Sequence, residues 1–239
     1  MSHRLHRFDR VESTMDVLHQ LATDGAGAGT AVLAVEQFGG RGSRGRPWHS
    51  PPGGLWHSVL FRPSHPGAVE VMSLKAGLAV AEALDGFLSQ PIKLKWPNDL
   101  MLGDRKVGGI LCEARWQGQR LGWVAVGVGM NVQNAVPADL RATATALADE
   151  QPGITLEDVI PPVVAGLRAL DLGADRLTPT ELSRFGRRDW LNGRDICAPA
   201  AGRAAGLRDD GALLVRSTLG QDIPLRTGSV ELAAVSHSR

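Results

Sequence analysis

The stretch GGRGSRGRPWHS, residues 39–50, places the strongest constraint on how this chain can fold. It holds four glycines and three arginines within the eight positions 39–46, a composition that suits neither a helix nor the interior of a strand. The apolar run GTAVLAVEQ, residues 29–37, directly precedes it and is typical of a buried strand. Glycines let backbone N–H groups converge on an anion, and arginines add planar guanidinium groups that match phosphate or carboxylate. The sequence therefore predicts an anion-binding loop, and a solvated surface loop is the alternative.

The overall composition argues against several classes of protein. The 239 residues include 26 Lys plus Arg against 25 Asp plus Glu, so no global field directs the chain onto nucleic acid or an anionic membrane. No run approaches the roughly 20 apolar residues that span a bilayer, and the polar first residues lack the apolar segment of a signal peptide. Neither Cys112 nor Cys197 belongs to a Cys-x-x-Cys pair, which favours a reduced, cytoplasmic protein without disulfides.

The periodicity of apolar residues predicts an α+β fold. Helices are expected over residues 12–25, 68–86, 161–170 and 178–191, the first capped by Ser13 or Thr14 and the last by Thr180. Strands are expected over residues 29–37, 54–63, 92–102, 106–116 and 121–132. Because this order is not a strict βαβ alternation, we expect a mixed β-sheet with helices packed on one side.

Short strand-like runs with Gly and Asp turns follow residue 191. Such runs are typical of a small β-barrel. We therefore expect one domain over residues 1–190 and a second over residues 191–239.

Three further segments combine polar side chains with glycine at strand ends. In KWPND, residues 95–99, Asp99 could hold Mg²⁺ together with phosphate oxygens, although an ordinary Asx turn uses the same residues. In RKVGG, residues 105–109, Lys106 precedes glycines that leave room for a ligand, although most turn lysines are simply exposed. In VGVGMN, residues 126–131, two glycines favour close approach of the backbone to a ligand or to a neighbouring strand.

Other kinds of catalytic site find no support in the sequence. The seven histidines show no metal-ligand spacing beyond His3 and His6, which lie in a terminus that we expect to be frayed. Ser50 and Ser58 lack the surroundings of a nucleophile elbow. We therefore expect neither a zinc site nor a serine nucleophile.

Taken together and in this order, the segments resemble the biotin protein ligases, enzymes that attach biotin to carrier domains. The matching segments are ESTMD (12–16), EQFGGRGSRGRPW (36–48), GGLWHSVLFRP (53–63), LKWPNDLML (94–102), RKVGGILCE (105–113) and VGVGMNV (126–132). GLRDDGALLV (206–215) resembles the SH3-like C-terminal domain of the same family. The resemblance implies the class II synthetase-like biotin/lipoate ligase fold. It also implies a two-step reaction, in which biotin and ATP form biotinyl-5′-AMP and a carrier lysine then takes the biotin.

The resemblance implies a role for individual residues as well. Lys106, Arg41 and Asp99 match catalytic positions, Lys106 as the bridge between the biotin carboxylate and the α-phosphate and Asp99 beside Mg²⁺. The residues that match the biotin pocket are Ser13, Thr14, Met15, Gln37, Gly40, Arg41, Gly42, Ser43, Lys106, Gly109 and Gly127. The residues that match the ATP or adenylate side are Arg44, Arg46, Trp48, Lys95, Asn98 and Asn131.

Three positions depart from the usual family pattern. Met15 stands where asparagine is usual, Ser43 stands where many members carry arginine, and Pro47 replaces a variable residue. We expect the loss of the arginine at Ser43 to weaken retention of the adenylate, and Pro47 to stiffen the loop.

The resemblance also implies the partners. They are ATP, biotin, Mg²⁺ and the biotin carboxyl carrier domain of acetyl-CoA carboxylase or a related carboxylase. The family core starts by about residue 11, so a monofunctional ligase without a DNA-binding domain is expected, as a monomer or a homodimer.

Competing interpretations differ in substrate or in class. A ligase for lipoate or another acyl acid would keep the fold, but the KWPND segment together with the K-x-x-GIL pattern argues against it. An RNA-binding module would use the arginines for phosphates and Trp48 for stacking, and the balanced charge disfavours it. A biotin sensor without catalysis would require the loss of Lys106 or Asp99, and both are present.

Overall fold

The computed structural model of this chain describes residues 4–171 and 173–233. Its largest element is a seven-stranded sheet in the order β1-β2-β3-β7-β6-β5-β4. The strands are β1 (Leu5–Val11), β2 (Ala31–Gln37), β3 (Leu55–Phe61), β4 (Lys93–Lys95), β5 (Asp99–Leu102), β6 (Arg105–Gln117) and β7 (Arg120–Met130). β1 and β2 run parallel and the other neighbours are antiparallel. The expected α+β class with a mixed sheet is confirmed.

Helices cover both faces of this sheet. They are α1 (Thr14–Thr23), α2 (Ala68–Ala83), α3 (Leu147–Glu150), α4 (Leu156–Arg168) and α5 (Pro179–Arg188). α2, α4 and α5 share an apolar core with one face of the sheet, so the expectation that helices pack on one side holds for these helices only. α1 instead packs Met15, Leu18 and Ala22 on the opposite face. Successive strand residues point to opposite faces and all seven residues of β3 are buried, so the second face needs a cover as well.

Several expected boundaries were wrong, each for a local reason. β1 was not predicted, because as an edge strand it carries mostly polar residues. α4 begins at Leu156 and not at Pro161, since Thr155 caps it by accepting a hydrogen bond from the backbone N–H of Asp158. The cap of α5 is Thr178 and not Thr180. Residues 92–102 form two paired strands, β4 and β5, joined by a turn that contains a cis Trp96–Pro97 peptide.

The C-terminal part forms a second, antiparallel sheet in the order β11-β10-β9-β8-β12. Its strands are β8 (Asp195–Ala198), β9 (Gly202–Leu207), β10 (Leu213–Arg216), β11 (Asp222–Leu225) and β12 (Glu231–Leu232). This arrangement fits the expected SH3-like fold, but β11 and β12 are not paired with each other, so the described strands form no closed barrel. Residues 234–239 of the expected second domain, and His3, lie outside the described residues.

The two sheets share one apolar core. Leu213 and Val215 of β10 belong to the same buried cluster as Leu74 of α2. The turn before β10 rests on α2, and Gly211 O accepts a hydrogen bond of 2.9 Å from Trp96 Nε1. The expected domain boundary near residue 191 therefore stays a prediction. Within the described residues, every helix falls short of the length or apolar character that crossing a bilayer requires.

A buried histidine in β3 gives the fold a testable dependence on pH. His57 is 1% exposed, and its Nδ1 donates to Val32 O at 3.0 Å. Burial lowers the pKa of His57 from 6.5 to about 4. As the pH falls, the unfolded chain therefore protonates His57 before the folded chain does. Acidification below pH 6.5 thus lowers the free energy of unfolding. Between the two pKa values, the loss in the free energy of unfolding amounts to about 3 kcal/mol.

We expect His57→Gln to remove this dependence. Urea unfolding of both proteins between about pH 7 and about pH 5 measures the difference in slope, because the other titrating groups contribute equally to each. The same slope in both proteins would contradict a neutral, buried His57.

Candidate active site

A cavity of about 530 Å³ lies on the α1 side of the large sheet. Residues 39–48, here called the arginine loop, form one wall. Of the site residues predicted from the sequence, all but Gly40 and Arg44 line it. They are Ser13, Thr14, Met15, Gln37, Arg41, Gly42, Ser43, Arg46, Trp48, Lys95, Asn98, Asp99, Lys106, Gly109, Gly127 and Asn131. Segments that are distant in the sequence thus meet around one cavity.

One end of the cavity is a recess of buried hydroxyl groups. Thr14, at the first turn of α1, donates through both its backbone N–H and its Oγ1 to Gln37 Oε1, at 2.8 and 3.0 Å. Ser58 Oγ lies 2.7 Å from Thr14 Oγ1, and Ser13 Oγ caps the helix. Gln37 Nε2 donates to Ser50 Oγ at 2.9 Å, and Ser50 Oγ donates to Trp48 O at 3.1 Å, which ties the recess to the arginine loop. The recess presents hydroxyls and a helix N-terminus to a polar ligand group.

Ser58 was not predicted as a site residue from the sequence. The feature that indicates it is its pairing with a glycine that was predicted to line the pocket. In the register of β3 and β7 it pairs with Gly127, a predicted pocket glycine. A Cβ on Gly127 would lie 2.9 Å from Met15 Sδ. The absent side chain therefore makes room for the thioether, which gives the recess an apolar wall.

Lys106 and Trp48 lie next to each other in the wall of the cavity. Lys106 Nζ lies 2.5 Å from Asp99 Oδ1 and 5.0 Å from the centroid of the Trp48 ring. Trp48 lies over Gly129, where a Cβ would be 2.6 Å from its Nε1. That buried Nε1 has no hydrogen-bond partner among the described residues. The arrangement offers a cation, a carboxylate and an aromatic ring side by side.

Asn98 and Asn131 line the cavity, but their amides also hold its walls. Asn98 Nδ2 donates to Ile110 O at 2.7 Å. Asn131 Nδ2 donates to Thr145 O at 3.1 Å, and its Oδ1 accepts from Asn134 Nδ2 at 3.0 Å. These bonds already engage much of each amide. Contact of Asn98 and Asn131 with an adenylate stays a prediction.

The remaining predicted loop residues divide between the cavity and the loop itself. Arg44 lies outside the cavity in a left-handed conformation with φ 62°, and its Nη1 donates to Ser229 Oγ at 3.1 Å. Gly40 is also outside, and a Cβ there would lie 2.5 Å from Trp48 O, so no side chain fits at this position. Arg46 Nη2 donates to Ser43 Oγ at 3.1 Å. Gly40 thus serves the path of the loop, and Arg44 connects it to the smaller sheet.

An ion-pair chain that was not predicted anchors the arginine loop to α1. Arg41 donates to both oxygens of Asp16, at 2.8 and 2.6 Å, and lies 3.8 Å from Glu113. His19 Nε2 donates to Glu113 at 2.9 Å, and Trp123 Nε1 donates to His19 Nδ1 at 2.9 Å. The bond from Arg41 lowers the pKa of Asp16, and the bond from His19 lowers the pKa of Glu113. Both carboxylates are therefore charged and hold Arg41.

We expect the double substitution Asp16→Asn with Glu113→Gln to loosen the arginine loop. Trypsin should then cut at the loop arginines about fivefold faster, a factor that corresponds to about 1 kcal/mol for a partly exposed ion pair. Asp222→Asn is the matched control, because Asp222 pairs with Arg216 in the smaller sheet. Equal cleavage rates in all three proteins would show that this anchor does not hold the loop.

Two further parts of the wall were not predicted from the sequence. Residues 136–144 lack apolar periodicity, and they reach the cavity because Thr143 O accepts a hydrogen bond of 2.8 Å from Lys106 N. Trp190 follows α5 and lines the cavity beside Lys95. Both parts of the wall depend on contacts between distant segments, so no local sequence pattern predicts them.

Comparison with known proteins relates this chain to a family. The sequence model of the Biotin/lipoate A/B protein ligase family matches residues 7–131. The biotin–[acetyl-CoA-carboxylase] ligase of Paracoccus denitrificans is 33% identical over 90% of this chain and 95% of its own length. The bifunctional ligase/repressor BirA of Bacillus subtilis (strain 168) is 31% identical over 92% of this chain and 71% of its own length. The biotin protein ligase of Aquifex aeolicus, solved with biotin and ATP, superposes with a TM-score of 0.77 at 27% identity, covering 96% of this chain and 98% of that one.

Proposed function

The chain belongs to the biotin/lipoate A/B protein ligase family, and we propose that it uses ATP to ligate biotin to a carboxylase. Support comes from the Paracoccus denitrificans relative, which is a biotin–[acetyl-CoA-carboxylase] ligase, and from the Aquifex aeolicus structure with biotin and ATP. The single observation that carries the proposal is the cavity itself. It joins a hydroxyl-lined recess to a lysine and a stacking indole.

The reaction has two steps in one cavity. A biotin carboxylate oxygen attacks the α-phosphorus of ATP, and the bond to the β-phosphate breaks, so that biotinyl-5′-AMP and pyrophosphate form. A lysine amine of the carrier then attacks the acyl carbon, AMP leaves, and the amine loses a proton. Both steps bring groups together in a fixed geometry, so positioning and charge stabilisation do most of the work.

The hydroxyl-lined recess is the proposed biotin end. The hydroxyls of Ser13, Thr14 and Ser58 are buried there, and a buried polar group is stable when a ligand completes its hydrogen bonds. The ureido group of biotin both donates and accepts, and it therefore suits hydroxyls, which do the same. Met15 Sδ and the glycines of β6 and β7 leave an apolar space for the rest of the molecule.

Lys106 is the proposed charge-stabilising group between the two substrates. Its Nζ lies between the carboxylate of Asp99 and the ring of Trp48. A cation at this position offsets the repulsion between the biotin carboxylate and the α-phosphate, and it stabilises the charge that develops as they react. Trp48 is the proposed platform for adenine, because a flat indole over Gly129 suits stacking.

Mg²⁺ is proposed to enter with the nucleotide. Mg²⁺ is usually held by one or two carboxylates and by substrate phosphates, and Asp99 supplies a carboxylate that lines the cavity. The donor set therefore fits a metal that ATP carries. Bound there, Mg²⁺ would neutralise phosphate charge.

The carrier and the assembly state belong to the proposal as well. We expect the acceptor to be the biotin carboxyl carrier domain of a carboxylase, in line with the Paracoccus relative. We further propose that the protein works in the cytoplasm as a monomer or a homodimer, with neither DNA nor a membrane as a partner.

The test is exchange of labelled pyrophosphate into ATP with biotin, lipoate or no acid, followed by transfer to a purified carrier domain. Exchange that requires biotin, together with labelling of the carrier lysine, is the expected result. Exchange with lipoate alone would favour the related acyl-acid ligase. No exchange by folded protein with Mg²⁺ present would contradict both.

A further inference from the structure

The face of the large sheet that α4 covers holds three buried nitrogen atoms without hydrogen-bond partners. Among the described residues, four buried side-chain nitrogens lack a partner, and one of them, Trp48 Nε1, belongs to the cavity. The other three are His57 Nε2 and the Nε and Nη2 atoms of Arg168. Because buried polar groups in proteins are nearly always hydrogen-bonded, a cluster of such atoms is a candidate binding site.

His57 and Arg168 come from elements that pack on each other. In the registers of β1, β2 and β3, the residues Arg7, Leu33 and His57 lie side by side and point to the same face. Leu33 belongs to the apolar core that Leu167 of α4 also joins, and Arg168 follows Leu167 in the last turn of that helix. The cluster, here called the His57–Arg168 site, thus combines a buried His57, a half-buried Arg168 and an exposed Arg7.

This site lies behind the hydroxyl-lined recess. His57 borders the cavity too, but in register it pairs with Leu33 and Val128, which both belong to the core on the α4 side. Its neighbour Ser58 contacts Thr14 in the recess, and successive strand residues point to opposite faces. β3 therefore separates the His57–Arg168 site from the recess.

The site carries positive charge without a neighbouring carboxylate. In residues 4–171 and 173–233, neither Arg7 nor Arg168 forms an ion pair of 4.0 Å or less, although Asp9 lies on the same face of β1 as Arg7. Burial lowers the pKa of His57, and the charges of Arg168 and Arg7 lower it further, against the opposing effect of the bond to Val32 O. The carbonyl end of α4 favours a cation at Arg168 but accepts no hydrogen bond from its Nε or Nη2. An anion would supply both the charge and the acceptors.

The atoms without partners define the chemistry of the ligand. The Nε–H and Nη2–H groups lie on one edge of the Arg168 guanidinium, and that edge can bind two oxygens of an oxyanion at once. His57 Nδ1 donates to Val32 O at 3.0 Å. Nε2 of the neutral ring is therefore an acceptor, and it requires a donor. A ligand that satisfies both side chains has oxygens that accept from Arg168 and a hydroxyl that donates to His57.

We propose that His57 and Arg168 form a binding site for a small oxyanion that keeps a hydroxyl group near neutral pH, as hydrogen phosphate and bicarbonate do. Two of its oxygens accept from Arg168 Nε and Nη2, and its hydroxyl donates to His57 Nε2. Arg7 adds positive charge at the exposed side of the site. The inference does not depend on the proposed function, because the site lies on the other face of the sheet.

Urea unfolding with added anions tests this site. Near neutral pH and at constant ionic strength, phosphate at ten times its dissociation constant should lower the equilibrium constant for unfolding about tenfold. Sulfate is the matched anion, since it shares the general stabilising effect of phosphate salts but has no hydroxyl for His57 Nε2. We expect sulfate to bind about tenfold more weakly, the size of one lost hydrogen bond at a buried acceptor. A parallel titration with bicarbonate shows which of the two oxyanions binds more tightly.

Three variants locate the binding site. Arg168→Met keeps the apolar stem of the side chain but removes the guanidinium, and it should lose the response to phosphate. Arg216→Met should keep the response, because Arg216 pairs with Asp222 in the smaller sheet. Lys106→Met should keep it as well, because this substitution removes a cation from the cavity and none from the His57–Arg168 site.

Nitrogen NMR gives a readout that does not depend on the stability of a variant. The Nε2 resonance of His57, identified by its absence in His57→Gln, should shift with phosphate and stay unchanged with sulfate. Equal stabilisation by sulfate and phosphate would overturn the proposal, and so would a phosphate response that survives in Arg168→Met or disappears in Lys106→Met. No response to phosphate or bicarbonate at about 50 mM, where a site of millimolar affinity is filled, would also overturn it.

Discussion

Replacing Lys106 with methionine is expected to lower biotin-dependent pyrophosphate exchange by about a thousandfold, the upper range for removal of one charge-stabilising group. Methionine keeps most of the length of the side chain but removes the ammonium that lies 2.5 Å from Asp99 Oδ1. The biotin carboxylate and the α-phosphate would then meet without a neutralising charge between them. Exchange at saturating biotin and ATP measures the effect on kcat.

Lys93→Met is the matched control for this substitution. Lys93 lies in β4 close by, but its Nζ donates to Arg187 O at 2.9 Å and it does not line the cavity. We expect exchange by this variant to remain near that of the wild type. Exchange by Lys106→Met within about tenfold of the wild type would be too small for an oxyanion-type role, and urea unfolding of both variants checks that the fold is intact.

Gly129→Val is expected to raise the KM for ATP by about 10- to 100-fold, the range that corresponds to loss of one base–aromatic stack. A Cβ on Gly129 would lie 2.6 Å from Trp48 Nε1 and 2.9 Å from its Cε2, so the indole must move. The hydroxyl-lined recess should be affected less, because Thr14 and Ser58 do not depend on Trp48 for their hydrogen bonds. Separate KM values for ATP and biotin measure this difference.

Gly86→Ala serves as the control, because nothing lies within 4 Å of a Cβ at that position. Gly129→Ala should give an effect between those of the wild type and Gly129→Val. An unchanged KM for ATP in Gly129→Val would show that Trp48 does not contact the nucleotide.

The sequence allowed the cavity to be predicted where its residues form continuous motifs. The arginine loop, Lys106 and Asp99 lie in segments whose glycines and charges stand out from the apolar runs beside them. A binding site can be predicted from such a segment alone, because the glycines that permit an unusual backbone conformation and the charged side chains lie within a few residues of each other.

The parts that were missed depend on contacts across the fold. The chain from Trp123 through His19 to Glu113 joins α1 to the two longest strands. Trp190 contacts Lys95 although it lies 95 positions further along the chain. No periodicity encodes such pairings, since each residue is ordinary in its own segment. β1 was missed for a different reason, because an edge strand exposes polar residues and resembles a loop.

The apolar core that continues from α2 into the smaller sheet has a mechanical consequence. Leu213 and Val215 belong to that core, and Trp96 Nε1 donates a hydrogen bond to Gly211 O beside it. Moving the smaller sheet away as a rigid body would expose this apolar surface to water, at a free-energy cost of roughly 25 cal/mol for each Å². A hinge there would be stiff, whereas the arginine loop is held mainly by polar contacts such as that between Arg41 and Asp16. We therefore expect the arginine loop, and not the smaller sheet, to move when a ligand enters or leaves the cavity.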